Sequence, residues 1–172
     1  MVDDALLNAR AANGDRKAFA LLVARHEARL RGFLRRIASP SDADDLAQDT
    51  FVRAWERAAQ FQAGGSYAAW LTQIGWRLFL DERRRVTSRA KRDVTATEQL
   101  ANTQAHGGDL GLDLAAALER LDPQARAAIA LCDGQGWTHE EAAAMLDLPL
   151  GTLKSLISRG KAKLRAFLTT GG

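Results

Sequence analysis

The sequence contains one cysteine, Cys132, and three histidines, which excludes a disulfide scaffold and disfavours a His/Cys metal cluster. It has no stretch of about 18 uninterrupted apolar residues, so no membrane span is predicted. The first ten residues, MVDDALLNAR, carry acids where a secretion signal has bases, so no signal peptide is predicted. With only three prolines and 47% hydrophobic residues, the 172-residue chain is expected to fold around a core and to act in the cytoplasm.

Charge is unevenly distributed along the chain, although the net charge is only +3. Residues 42–49 contain four acids and no base, whereas residues 83–92 contain six bases and residues 154–165 five bases, without an acid. This segregation predicts one acidic docking face and two basic surfaces, which are typical of nucleic-acid binding. For any single patch, a solvated helix face that binds nothing is the alternative.

Apolar periodicity predicts an all-α protein of two small helical domains joined by a flexible linker. In the N-terminal domain, Pro40 is expected to end the first helix, and Ser41 with Asp44 to form the capping box of the second. The loop at residues 60–66 is predicted from its glycines. The domain is assigned to residues 1–87, with helices predicted over residues 15–37, 41–60 and 67–85.

Residues 88–112 lack periodicity and are predicted to be a linker that leaves the two domains mobile relative to each other. The C-terminal domain is assigned to residues 113–172. Asp122-Pro123 and the capping box that starts at Thr138 mark helix starts, and residues 151–168 form the last helix. A short helix, a tight turn and a basic helix predict a helix-turn-helix, whose second helix enters the major groove of DNA.

The third predicted helix has a second apolar face formed by Trp76, Phe79 and Leu80. This face is either buried between helices or available for stacking on unpaired bases. Arg77, Asp81 and Arg84 share one flank of the same helix. Elsewhere, His26 and Cys132 fall on apolar stripes, so both are predicted to line the core rather than to act as a ligand or a reactive thiol.

Several motifs together resemble the extracytoplasmic-function group of bacterial RNA polymerase sigma factors in order and spacing. They are DADDLAQDTFVRAW (42–55), YAAWLTQIG (67–75) with DERRR (81–85), LDPQARAAIAL (121–131) and THEEAAAMLDLPLGTLKS (138–155). The resemblance covers nearly all of the chain outside the linker. It implies sigma regions 2 and 4, a role in promoter-specific transcription initiation, and no enzymatic activity, metal or cofactor. The implied partners are core RNA polymerase through its β′ clamp helices and β flap, promoter DNA, and an anti-sigma factor.

The resemblance also implies roles for individual residues. Docking on the clamp helices is expected from Asp45, Gln48 and Asp49. The loop at 60–66 is expected to help form a pocket for an extruded base. Contacts to the minus-ten element are expected from Trp76, Arg77, Arg84 and Arg85. Contacts to the minus-35 duplex are expected from Thr152, Lys154, Ser155, Arg159, Lys161 and Lys163.

Two positions depart from the family pattern. Many members have Asn where this chain has Arg77, and Asn both donates and accepts hydrogen bonds whereas Arg only donates. Either the minus-ten preference is unusual, or Arg77 binds phosphate. Leu156 stands where the family frequently has Arg; it contacts a thymine methyl or packs, and packing is favoured.

Two other functions would use parts of the same sequence. A DNA-binding regulator would use only the C-terminal helix-turn-helix and would not need to bind polymerase. A nuclease would use the carboxylates of residues 42–49 as a metal site. Asp42, Asp45 and Asp49 lie along the outside of one predicted helix, with no second carboxylate cluster to converge on them, which disfavours the nuclease.

Overall fold

The computed structural model describes residues 3–92 and 116–170, and within these ranges the regular structure is helical with no strand. The all-α prediction is therefore confirmed. Most of the predicted linker lies outside the described residues. Residues 116–119 are helical, and a short 3₁₀ turn spans Ala58–Gln60. The longer helices are α1 (Asp4–Ala12), α2 (Arg16–Ile37), α3 (Pro40–Glu56), α4 (Tyr67–Arg92), α5 (Pro123–Gln135), α6 (His139–Leu146) and α7 (Leu150–Thr170).

Helix α1 was not predicted, because its nine residues are too few to show a clear apolar period. Leu7 of α1 is fully buried. Asp4 of α1 contacts two side chains of α2. Arg25 Nη1 donates to Asp4 Oδ1 at 2.8 Å, and His26 Nε2 lies 2.7 Å from Asp4 Oδ2. Burial alone would raise the pKa of Asp4, but these two hydrogen bonds hold it below its ordinary value. His26 is thus partly buried, with its Nε2 against the Asp4 carboxylate.

The start of α3 differs from the prediction. The N-cap is Ser39, whose Oγ accepts the Asp42 N–H at 3.2 Å, and not Ser41. Pro40 occupies the first helical turn, where its missing N–H removes no helical hydrogen bond. The Ser41/Asp44 spacing imitates a capping box, but Pro40 belongs to the helix that it was expected to precede.

The end of α4 also differs from the prediction. The helix continues to Arg92, beyond the domain end predicted at residue 87. Every residue from 81 to 92 is exposed, so this part of the helix has no apolar stripe that could reveal it in the sequence. Its basic side chains therefore extend along a continuous helix and not along a linker.

Helix α5 is buried on nearly every side. One face packs on α7, where a Cβ at Gly160 would lie 2.8 Å from Ile129 Cδ1. Another face meets α2, where a Cβ at Gly134 would lie 3.3 Å from Arg36 Cζ. Ala127 and Leu131 are both 0% exposed between these contacts. The two halves of the chain consequently share one hydrophobic core.

The structure packs the two domains against each other, whereas the sequence predicts that they move relative to each other, and their mobility stays a prediction. Arg126 Nη1 donates to Ile37 O at 3.3 Å, and Arg29 Nη2 donates to Gln135 O at 3.1 Å. The first bond satisfies a carbonyl that the end of α2 leaves unpaired. The contact between the domains was not predicted because small residues, Ala127 and Ala130, form the second face of α5, and a stripe of alanine gives little apolar signal.

The close contact at Gly160 yields a stability prediction. Replacing Gly160 by Leu should lower the free energy of unfolding by roughly 1–3 kcal/mol, because the side chain would have to displace Ile129, Ala125 and Leu121. The same replacement at Gly151, also in α7 but with no atom within 4 Å of an added Cβ, should not destabilise the protein. Urea unfolding followed by circular dichroism measures both. Equal stability of the two variants would contradict the proposed packing of α5 on α7.

Candidate functional site

The four acids of residues 42–49 fall into two groups. Asp42 accepts a hydrogen bond from Ser39 Oγ at 2.6 Å, at the start of α3. Asp44 pairs with Arg31 at 2.6 Å and with Arg35 at 3.3 Å. These two acids therefore make contacts within the protein. Acids near a helix start also interact favourably with the helix dipole.

The other two acids, Asp45 and Asp49, point outward from α3. Both are exposed, as is Gln48 beside them, and neither carboxylate pairs with a base in the described chain. Spacings of three and four residues place all three side chains on one face of the helix. The structure therefore brings together the predicted docking residues as a solvent-facing acidic stripe.

The basic flank of α4 is exposed, but Trp76 is not part of it. Arg77 is exposed, and the side chains of Arg84 and Arg85 are 76% and 72% exposed. Arg84 and Arg85 pair with acids three residues before them, and exposed pairs of this kind contribute little energy. Trp76 is only 2% exposed and stacks on Phe79 with ring centroids 5.5 Å apart. The prediction that Trp76 contacts DNA is therefore wrong for this arrangement, because the second apolar face of α4 is used for packing.

The loop at residues 60–66 borders a cavity of about 650 Å³. Phe61, at the start of this loop, contacts Trp70 of α4 with ring centroids 5.4 Å apart. Trp137 and Met145 of the C-terminal half line the same cavity from the other side. The sequence reasoning missed Trp137, whose only sequence signal is a large aromatic residue in a polar segment between two helices.

Helices α6 and α7 form the predicted helix-turn-helix. The capping box at the start of α6 is confirmed, because Glu141 N–H donates to Thr138 Oγ1 at 3.2 Å and Thr138 N–H donates to Glu141 Oε2 at 2.9 Å. After α6, Asp147 adopts φ of 55° in the left-handed region, which turns the chain tightly before α7. Leu153 and Ile157 then anchor α7 in the core.

The outer face of α7 carries the predicted duplex-binding residues. Lys161 differs from the others because its Nζ lies 2.9 Å from Asp133 Oδ2, so its charge is partly neutralised within the protein. Leu156 is partly buried, which favours packing over contact with DNA. The exposed members of the set are Thr152, Lys154, Ser155, Arg159 and Lys163.

Cys132 is partly buried near the end of α5, and burial raises the pKa of its thiol. In residues 3–92 and 116–170, no group of three or more His, Cys, Asp or Glu side chains is arranged to hold a metal ion. Over the same ranges, no helix combines the length and the hydrophobicity that crossing a membrane requires.

Two family profiles match the chain. Sigma-70 region 2 matches residues 22–89, and Sigma-70 region 4 matches residues 111–164. The first profile contains the acidic stripe and the exposed flank of α4. The second contains the helix-turn-helix up to the basic half of α7.

Curated proteins and a solved structure agree with these profiles. The chain is 37% identical to the ECF RNA polymerase sigma factor SigE of Mycolicibacterium smegmatis over 91% of its own length and 65% of that protein. It is 34% identical to the RNA polymerase sigma factor CnrH of Cupriavidus metallidurans, over 96% of this chain and 94% of CnrH.

In structure, the chain is similar to the sigma factor RpoE of Bartonella quintana, solved in complex with the anti-sigma factor NepR. The TM-score is 0.76 at 31% identity, over 89% of this chain and 98% of RpoE. Both sequence regions and their spatial arrangement therefore agree with a single family. The chain belongs to the ECF group of RNA polymerase sigma factors.

Proposed function

We propose that this protein is a dissociable subunit that binds core RNA polymerase, directs it to specific promoters and helps to open the DNA there. It acts in the cytoplasm with the polymerase and performs no catalysis of its own. The observation that carries the proposal is the acidic stripe on α3, which the fold leaves exposed and unpaired within a chain that matches both sigma regions.

Asp45, Gln48 and Asp49 are the proposed contacts to the polymerase. Carboxylates without an internal partner form charge-assisted hydrogen bonds with a basic surface, which fix the register of the two proteins. Their charge also accelerates association. The clamp helices of the β′ subunit are the proposed partner, by resemblance to the family.

The proposed contacts to the minus-ten element are Arg77, Arg84, Arg85 and the loop at 60–66. Separated strands expose bases, and a protein without an energy source holds them apart only by binding the single strand better than the duplex. Arginines that bind phosphate and aromatic side chains that stack on bases provide this preference. Because Arg77 has donors only, we expect it to bind phosphate or a base acceptor.

The outer face of α7 is the proposed contact to the minus-35 duplex. Residues in its first turns, Lys154 and Ser155, are placed to contact base edges, as in other helix-turn-helix proteins. Lys161 and Lys163 lie further along the helix and are proposed to contact phosphates. The β flap of polymerase is proposed to hold this half of the protein in place.

An anti-sigma factor is a further proposed partner, because RpoE, a similar protein, was solved with NepR. A regulator that uses the helix-turn-helix alone is not favoured. The region 2 profile and the acidic stripe would have no purpose in such a protein.

Reversing Asp45 and Asp49 to Lys should lower the affinity for core polymerase on the order of 100-fold, because like charges would face each other in the complex. Surface plasmon resonance with immobilised core polymerase measures this change. Circular dichroism should show unchanged helix content, since neither side chain pairs within the described chain.

A matched control makes the same change in charge elsewhere. Glu119 and Glu140 are exposed acids of the C-terminal half, and reversing both to Lys should leave core affinity nearly unchanged. If both double variants lost the same affinity, net charge and not the stripe would determine binding.

A second prediction separates phosphate binding from base recognition on α7. Lys163→Ala should weaken binding to all promoter duplexes alike and reduce the slope of log affinity against log salt by about 0.9. Lys161→Ala should have a smaller effect, because Asp133 already neutralises part of its charge. Lys154→Ala should change which minus-35 sequences are preferred, with a loss of discrimination of about 1–3 kcal/mol for a lost base contact.

Titrations of a randomised duplex library at several salt concentrations, followed by sequencing of the bound fraction, test these expectations. A change of sequence preference in Lys163→Ala without one in Lys154→Ala would mean that α7 enters the groove in a different register.

A further inference from the structure

Helix α1 contacts the chain where it enters the loop at residues 60–66. Asn8 is buried, and its Nδ2 donates to Ala58 O at 2.7 Å. Ala58 begins the 3₁₀ turn that ends at Gln60, and its carbonyl also accepts the Phe61 N–H at 3.3 Å. One carbonyl oxygen thus receives a donor from α1 and a donor from the loop. The entry of the loop is therefore attached to α1.

Helix α1 also contacts the residue that follows the loop, through His26 of α2. His26 Nε2 lies 2.7 Å from Asp4 Oδ2, and the His26 ring packs on Tyr67 with ring centroids 5.2 Å apart. Tyr67 is the first residue of α4 and is only 2% exposed. Burial raises the pKa of the Tyr67 hydroxyl, and the negative charge of Asp4 raises it further, which requires the two groups to be near each other. The exit of the loop is therefore held from α1 as well.

Aromatic contacts join the two ends of the loop, whereas its middle has little to fix it. The Phe61 ring meets the Tyr67 ring edge-on, with ring centroids 5.4 Å apart. Residues 62–66 are all exposed and include two adjacent glycines, Gly64 and Gly65. Because glycine restricts the backbone least, the shape of this loop depends on how its ends are held.

Burial of α1 alone does not account for these polar contacts. Asp4, Leu7, Asn8 and Ala11 follow one another at spacings of three and four and share one face of α1. Leu7 and Ala11 provide apolar burial, but a buried carboxamide costs free energy unless it is fully hydrogen-bonded. Asn8 Oδ1 is buried without a hydrogen-bond partner among the described residues. The position of Asn8 is explained by the loop carbonyl that it holds and not by stability.

We propose that α1 positions the loop at residues 60–66 for the capture of an unpaired base. Asn8 holds the entry of the loop, and Asp4 holds its exit through His26 and Tyr67. The proposal rests on the proposed function, which assigns this loop to the minus-ten strand. Helix α1 precedes residues 22–89, the part of the chain that matches Sigma-70 region 2. A loop that is already held in one shape loses less conformational entropy when it binds.

The first test variant, Asn8→Leu, releases the entry of the loop. It removes the donor to Ala58 O together with the unpaired Oδ1, and it keeps the branched shape of the side chain. We therefore expect little change in the free energy of unfolding, because a polar group with one orphaned atom is replaced by an apolar group of similar shape. Urea unfolding followed by circular dichroism verifies this.

The second variant, Asp4→Asn, releases the exit of the loop. It keeps the shape of the side chain but removes the negative charge beside His26 and Tyr67. The control is Arg10→Ala, also on α1, because Arg10 pairs with Asp15 at the start of α2, at 2.7 Å. The control thus removes an ion pair of the same helix that lies away from the loop.

Hydrogen exchange, followed by NMR in the full-length protein, measures how firmly the loop is held. The amides of Phe61 and Trp70 each donate a backbone hydrogen bond, the first at the entry of the loop and the second at its exit. Asn8→Leu should accelerate exchange at Phe61, and Asp4→Asn at Trp70, each by about fivefold, the effect of losing one hydrogen bond. The control should match the wild type. Unchanged exchange at the matching amide in either variant would overturn the inference.

Selection from single-stranded DNA measures the consequence for base capture. Each protein is combined with core polymerase, and the complex selects strands from a library randomised at about ten positions. The wild type and the control should enrich the same bases at every position. Asn8→Leu and Asp4→Asn should lose about tenfold in preference at one position, that of the captured base, and keep the others. Uniform weakening at all positions would overturn the positioning role, as would unchanged preferences, because a general defect in folding does not distinguish one base from another.

Affinity for core polymerase separates this inference from the proposed function. It should be equal in all of these proteins, because the acidic stripe lies on α3 and keeps its residues. If the wild-type complex enriched no base at any position, the assignment of the loop to the minus-ten strand and the proposed function would fail. Hydrogen exchange would still decide whether α1 holds the loop.

Discussion

The burial of α5 on nearly every side is the constraint on which the rest of the structure depends. Ala127 and Ala130 are small enough for α5 to approach α2, while Ile129 on another face packs over Gly160 of α7. A helix with apolar residues on more than one face is stable only when neighbours cover each of those faces. Separating the two halves would expose one of these faces to water, so the apolar surface of α5 favours the closed arrangement.

The same packing decides which charges are available to partners. Arg31 and Arg35 neutralise Asp44, and Asp133 engages Lys161, so these charges act within the protein. Charges that no neighbour engages, such as those of Asp45, Asp49 and Lys163, can act between molecules. Exposed ion pairs contribute little to stability, but they change the electrostatic potential that a partner meets.

Residues of both sigma regions pack together in a single core. The contacts between the halves combine apolar packing with hydrogen bonds at its edge, from Arg29 to Gln135 and from Arg126 to Ile37.

Helical spacing, helix starts and charge segregation were sufficient to predict the all-α fold, the helix-turn-helix and the acidic face, because each depends on residues close together in the sequence. Thr138 with Glu141, and Asp122 with Pro123, define helix starts by contacts within one turn. Local patterns could not show that Ser39 and not Ser41 caps α3, or that the fully exposed residues 81–92 are helical. The burial of Trp76 and the contact of Arg29 with Trp137 were decided only by the tertiary structure, because they depend on groups that are distant in sequence and meet only when α5 packs on α2.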